Sequence, residues 1–137
     1  MENQTTAVKK NHVLVVDDSV ELVHIYKEML EGFHYAVSTA FNGVQALKLV
    51  LEKDFDAIIC DLTMPQLEGD LFYAAVERAK PHLCPRFIII TGNAADPKYE
   101  AFLKKVDNPV LYKPVSAANL LDTLDQMVGR PSHNLKR

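Results

Sequence analysis

The sequence predicts a doubly wound α/β domain, and three observations carry that expectation. Short apolar runs recur along the chain, segments of helical period alternate with them, and the runs stop abruptly at polar residues, as strands buried on both faces do. The first run is His12-Val13-Leu14-Val15-Val16, ended by Asp17-Asp18. From Ser19, a candidate N-cap, the residues Leu22, Ile25, Tyr26 and Met29 fall at helical spacing, and Gly32 stands where a C-cap belongs. Tyr35 to Ala40 reads as a second strand and Val44 to Leu51 as a second helix. Ala57-Ile58-Ile59-Cys60 is a third strand, fully apolar, ending at Asp61. After a turn-rich segment through Met64-Pro65 to Gly69, a helix runs to about Lys80, and Phe87-Ile88-Ile89-Ile90 is a fourth strand ending at Thr91. Asp96-Pro97 opens a fourth helix, with Asp as N-cap and Pro in the first turn. Val110-Leu111-Tyr112 is a fifth strand ending at Lys113-Pro114, and Leu120, Leu121, Leu124, Met127 and Val128 mark the apolar side of a closing helix that stops at Gly129.

A chain of 137 residues suits one hydrophobic core, so a single domain is expected over residues 13–129, with tails at 1–12 and 130–137. Apolar residues at 48% and charged residues at 24% supply a core without a fibrous or disordered composition. The start is polar and no apolar run is long enough to span a bilayer, so a cytoplasmic chain without membrane contact is expected. Cys60 and Cys84 lack metal-ligand spacing and read as structural thiols. A net charge of −3 with dispersed Lys and Arg offers no basic stripe, so direct nucleic-acid binding is not expected. His12, His24, His34, His82 and His133 show no ligand pair on one helix and read as surface or strand histidines.

Alternating strands and helices imply parallel strands joined by right-handed crossovers. In such sheets, ligands bind beyond the carboxyl ends of the strands, where the strand order reverses. That rule selects Asp17, Asp18, Asp61, Thr91 and Lys113. Taken singly, an Asp after a strand is a turn former or cap, and a Lys there is solvated. Jointly they assemble three carboxylates, a hydroxyl and an amine in one crevice. Crowded carboxylates repel, and a hard divalent cation with oxygen ligands relieves them; Mg²⁺ suits a site with few carboxylates and several waters. A metal with an ammonium and a hydroxyl beside it is the equipment of phosphoryl transfer.

Asp17-Asp18 after the first strand, DLTMPQLEG from Asp61 to Gly69, Thr91-Gly92, and Lys113-Pro114 resemble the receiver domains of two-component response regulators, over Val13 to Gly129. The resemblance implies a five-stranded parallel sheet of order 2-1-3-4-5, the flavodoxin-like arrangement, with five helices. It implies that Asp61 is the nucleophile and phosphoacceptor, that Asp18, Asp61 and the carbonyl of Thr63 bind Mg²⁺, and that Asp17 assists through a water. Lys113 would pair with the phosphoryl oxygens, next to a cis bond to Pro114; Thr91 would donate its hydroxyl to them, and Gly92 would leave room. The implied role is phosphorelay signalling and not turnover of an external substrate. A sensor histidine kinase or histidine phosphotransfer protein would supply the phosphoryl group. The loop through Ala94 would then shift, and the fourth helix, fifth strand and fifth helix would present the result to a downstream protein.

One position departs from the family pattern. Many members carry an aromatic residue three places before the Lys, and here that place is Val110, which cannot report burial by a large rotamer change. Tyr112 lies on the same side of that strand by parity and is a candidate contact for a partner, against the plain reading of a hydrated strand tyrosine. Competing classes fit less well. There is no Walker loop and no Gly-x-Gly-x-x-Gly turn, and an aspartyl-phosphate phosphatase would carry its nucleophile after the first strand in an Asp-x-Asp motif, where this chain has Asp17-Asp18-Ser19. A stand-alone regulator and a receiver cut from a hybrid sensor kinase both fit the sequence.

Overall fold

The computed structural model describes residues 10–92 and 96–131. Most of the two expected tails, together with Ala94 and His133, lies outside the described residues. Among the described residues five strands and five α-helices alternate: β1 (His12–Val16), α1 (Val20–Gly32), β2 (Ala36–Ala40), α2 (Gly43–Glu52), β3 (Ala57–Asp61), α3 (Gly69–Ala79), β4 (Phe87–Thr91), α4 (Pro97–Lys105), β5 (Val110–Tyr112) and α5 (Ala117–Val128). The strands form one sheet of order β2-β1-β3-β4-β5, every neighbouring pair parallel, as expected.

Side-chain parity divides the core into two layers, because successive residues of a strand face opposite sides. Leu14, Val16, Ile58, Cys60, Phe87 and Ile89 pack with Ala46, Val50, Phe72, Val76 and Tyr99 from α2, α3 and α4. Val13, Val15, Ala57, Ile59, Ile88 and Ile90 pack with Val23, Leu30, Leu120, Leu121 and Leu124 from α1 and α5. The three central strands are therefore buried on both faces, which is why they read as unbroken apolar runs.

Several helix ends follow the expected chemistry. Ser19, Asp96 and Ser116 cap α1, α4 and α5 by accepting from the backbone N–H groups of Leu22, Lys98 and Asn119. Gly129 ends α5 in the left-handed conformation at φ 81°. Three details differ from the sequence reading. Gly32 is the last residue of α1 and not its C-cap. The left-handed position is His34, at φ 70°. There His34 N–H donates to Glu31 O and Tyr35 N–H to Leu30 O, the paired bonds of a Schellman turn with histidine in the glycine place. Asn42, unassigned from sequence, caps α2 through Gln45 N, while Gln45 Oε1 accepts from Phe41 N. A 3₁₀ segment, Pro81–Arg86, precedes β4, where two prolines leave no helical period to read.

Arg130 explains why a histidine is held in that conformation. Its guanidinium donates to Phe33 O at 2.7 Å, His34 O at 2.8 Å and Asn11 Oδ1 at 3.0 Å, and lies 3.7 Å over the ring of Tyr35. The Tyr35 hydroxyl donates at 2.6 Å to the fully buried carboxylate of Asp125 on α5. One planar fork thus joins the end of α5, the entry to β1 and the turn between α1 and β2, although it follows the expected boundary at Gly129. We expect Arg130→Ala to lower the unfolding free energy by roughly 1–3 kcal/mol in urea titration, the range for several hydrogen bonds to a charged, part-exposed group. Arg130→Lys should recover little, since an ammonium cannot reproduce the fork; a Lys variant as stable as the parent would contradict this.

Candidate functional site

Asp17, Asp61, Thr91 and Lys113 stand at or just beyond the carboxyl ends of β1, β3, β4 and β5, so the sheet register brings them to one edge. Asp17 is 2% exposed; its Oδ1 accepts from Ser19 N at 2.9 Å, which fixes the turn into α1. Asp61 is 3% exposed, and its Oδ1 accepts from Thr63 N at 3.3 Å. The Lys113 ammonium lies between the two acids, 3.1 Å from Asp61 Oδ2 and 3.2 Å from Asp17 Oδ2. It bonds to Asp61, whereas the buried Asp17 Oδ2 receives it only at ion-pair distance, without hydrogen-bond geometry. Asp18 is exposed beside them.

Backbone contacts hold the frame. Lys113 N donates to Thr91 O at 2.9 Å, Leu62 N to Ile90 O at 3.0 Å, and Asp17 N to Ala40 O at 3.2 Å. Thr91 is fully buried, and the Lys113-Pro114 peptide is cis. A methyl group on Gly92 would meet the Lys113 stem at 3.6 Å, an ordinary contact. Gly69 is tighter: a Cβ there would come 2.5 Å from Asp61 O, so only glycine lets α3 begin against the end of β3.

The charges strain against one another. Burial raises the Asp61 pKa, and the neighbouring charge of Asp17 raises it further, against the opposing pull of the Lys113 hydrogen bond. For Lys113, burial works against the ammonium, but the bond to Asp61 and the charges of both acids outweigh it and raise its pKa. Asp17, Asp18 and Asp61 each offer an oxygen, all within 4.8 Å of one another, the sole such acidic, histidine or cysteine cluster among the described residues. A buried carboxylate oxygen without a hydrogen bond, amid three oxygen donors and no nitrogen or sulfur, fits a hard divalent cation.

The described histidines contribute none of this. His12 pairs with Ser38 Oγ at 2.8 Å, and His82 joins Asp54 and Lys80 on the surface. Cys60 and Cys84 are buried free thiols. An apolar groove of about 450 Å³, lined by Leu22, Ile25, Tyr26 and Met29 of α1, opens beside Lys113, Pro114 and Val115. Two residues near the site had no role assigned from sequence, Glu68 and Tyr99, which join the loop after β3 to α4. Their contact spans 31 positions, and the one local sign was a glutamate at the start of α3 where Ser, Thr, Asp or Asn is usual.

Comparison with known proteins agrees with this arrangement. A family model described as the response regulator receiver domain matches residues 13–125. The transcriptional regulatory protein ZraR of Klebsiella oxytoca is 34% identical over 114 residues, covering 83% of this chain and 25% of that protein. The chain thus spans about a quarter of the length of that relative. The receiver domain of sensor histidine kinase PA1611 from Pseudomonas aeruginosa, solved with magnesium in its active-site cleft, aligns at TM-score 0.79 and 26% identity, covering 88% of this chain and 99% of that one. Chemotaxis protein CheY4 of Vibrio cholerae aligns at TM-score 0.75 and 30% identity, covering 87% of this chain and 99% of that one.

The raised Asp61 pKa has a consequence for metal-free protein. The folded state holds this proton more tightly than the unfolded chain, so the group costs stability above its folded pKa, and the cost recedes as pH falls through that value. Asn keeps the shape, and Lys113 keeps Asp17 as partner. In chelator at neutral pH we expect Asp61→Asn to raise the melting temperature by roughly 2–5 °C, what about 1 kcal/mol does in a domain of this size. The gain should shrink as pH is lowered. A loss of stability at neutral pH would mean that the Lys113 pair outweighs burial.

Proposed function

The chain belongs to the response regulator receiver domain family, and from that premise we propose that it is a magnesium-dependent signalling switch whose phosphoacceptor is Asp61. One observation carries the reading: the Lys113 ammonium bridges Asp17 and Asp61 in a crevice of three carboxylates at the reversal point of the sheet.

In this reading a carboxylate oxygen of Asp61 attacks the phosphorus of a phosphohistidine. The new O–P bond replaces the P–N bond, and the imidazole leaves with the electron pair. Asp18, Asp61 and the carbonyl of Thr63 would hold Mg²⁺, with Asp17 acting through water. When bound, the ion supplies positive charge to the phosphoryl oxygens. Lys113 already stands 3.1 Å from Asp61 Oδ2 and needs only a small movement to follow a phosphoryl oxygen. Thr63 N–H, now on Asp61 Oδ1, is a second donor, and Thr91 would give its hydroxyl. Burial of Asp61 limits water at the acyl phosphate.

The donor in this proposal is a sensor histidine kinase or a histidine phosphotransfer protein, and the output is a protein contact through α4, β5 and α5. Tyr112, 56% exposed on β5, is the aromatic side chain placed for such a contact. No helix among the described residues is long and apolar enough to cross a membrane. A named relative is a transcriptional regulator, so an output at DNA through a longer protein is compatible with the family, and the expectation of no direct nucleic-acid contact is confined to this chain. The aspartyl hydrolase alternative is not favoured, since that family carries its nucleophile in an Asp-x-Asp motif after the first strand, where this chain has Asp17-Asp18-Ser19.

Acetyl phosphate or beryllofluoride should modify the protein only with Mg²⁺ present, and Asp61→Asn should abolish incorporation. The label should be lost in mild base, as an acyl phosphate is; a base-stable label would point to a hydroxyl residue instead. Lys113→Ala should slow phosphorylation yet tighten Mg²⁺ binding by roughly three- to tenfold in titration, because about 1 kcal/mol of repulsion between two cations disappears. Weakened Mg²⁺ binding would place the lysine among the groups that organise the ligands.

A further inference from the structure

We propose that Tyr99 is the positioning residue that carries the state of Asp61 to α4, acting through the Leu62–Thr63 peptide and Glu68. The inference rests on the receiver reading and names its internal coupling.

A peptide unit is planar, so its C=O and N–H move together. The N–H of Thr63 donates to Asp61 Oδ1 at 3.3 Å. The carbonyl at the other end of that plane, Leu62 O, faces the Tyr99 hydroxyl at 3.5 Å and also accepts from Gly69 N at 2.9 Å. Whatever pulls Thr63 N–H toward new oxygens on Asp61 therefore turns Leu62 O relative to Tyr99. A contact at 3.5 Å is at the outer limit of a hydrogen bond, so a small rotation makes or breaks it.

Tyr99 is 2% exposed, on the first turn of α4, and its hydroxyl, which also hydrogen-bonds with the Thr63 side chain, has one proton for the two acceptors Leu62 O and Glu68 Oε1. The nearer is Glu68 Oε1 at 2.9 Å. Glu68 occupies the N-cap position of α3 without making a capping bond, its carboxylate being turned across to α4 instead. Its other oxygen is held by Lys98 at 2.8 Å. Two acceptors, one on the site loop and one tied to α4, give the phenol two discrete arrangements, and the one it takes sets how α4 seats on the loop. Val110 lies in the same apolar layer as Tyr99 but has no polar atom to respond, and Tyr112 faces solvent.

Tyr99→Phe keeps the ring in the core and removes only the hydroxyl, and Glu68→Ala removes the other partner without costing a helix cap. Hydrogen exchange of α4 amides would be compared with and without beryllofluoride and Mg²⁺, with fluorine NMR reporting occupancy of the site. In the parent, occupancy should change exchange across α4. In both variants, the fluorine signal should persist while the α4 response falls about twofold or more. A full α4 response in either folded variant, or none in the occupied parent, overturns the coupling alone. Absence of a bound-fluoride signal in the parent overturns the receiver reading, and the coupling with it.

Discussion

Much of the structure depends on one ion-pair geometry, the Lys113 ammonium set between the buried carboxylates of Asp17 and Asp61. Two like charges a few ångströms apart in a poorly hydrated crevice repel by several kcal/mol at the effective dielectric of a protein, and a cation between them converts that repulsion into attraction. The lysine comes from the edge strand β5, reaching past β4 to partners on β3 and β1. Its backbone N–H is tied to Thr91 O, so main chain and side chain together fix a strand only three residues long and incompletely buried. Three carboxylates against one ammonium still leave the crevice negative when all are ionised. That residual charge is why it suits a divalent cation and a phosphoryl group together.

The expected architecture was legible because the central strands are covered on both faces. Continuous apolar runs such as Ile58-Ile59-Cys60 and Ile88-Ile89-Ile90 can hardly be solvent-facing, and their abrupt ends locate the crevice without any coordinates. Asp17, Asp61, Thr91 and Lys113 follow from strand ends and topology alone. Two features that stayed hidden share a cause: each is fixed by a distant partner. Gly32 advertised a helix stop, but Arg130 holds the turn two residues later through the carbonyls of Phe33 and His34. The bond between Tyr99 and Glu68 likewise joins segments with no shared periodicity. The 3₁₀ segment failed for a local reason, since Pro81 and Pro85 interrupt any regular pattern.

The loop after β3 is well suited to transmit displacement because it has little room to absorb it. Gly69 sits against Asp61 O at one end, and Gly43 of α2 sits against Leu67 O, so a side chain at either place would collide with main chain. Gln66 adopts a positive φ of 64° between them. A close-packed core does not deform continuously. In the coupling proposed above, movement that starts at Asp61 would travel along the rim of the sheet, where loops meet helix starts, with Val110 in place of an aromatic on β5.

The fork of Arg130 also ties the two ends of the described domain together. Its Nε reaches Asn11 at 3.0 Å, so the segment entering β1 and the segment leaving α5 lie side by side on one end of the domain. A fold whose entrance and exit touch can be set into a surface loop of another protein, or have its ends joined and be reopened elsewhere, with little rearrangement. The contact that fastens the last helix also makes the unit a cassette, able to sit at the beginning, the middle or the end of a longer polypeptide.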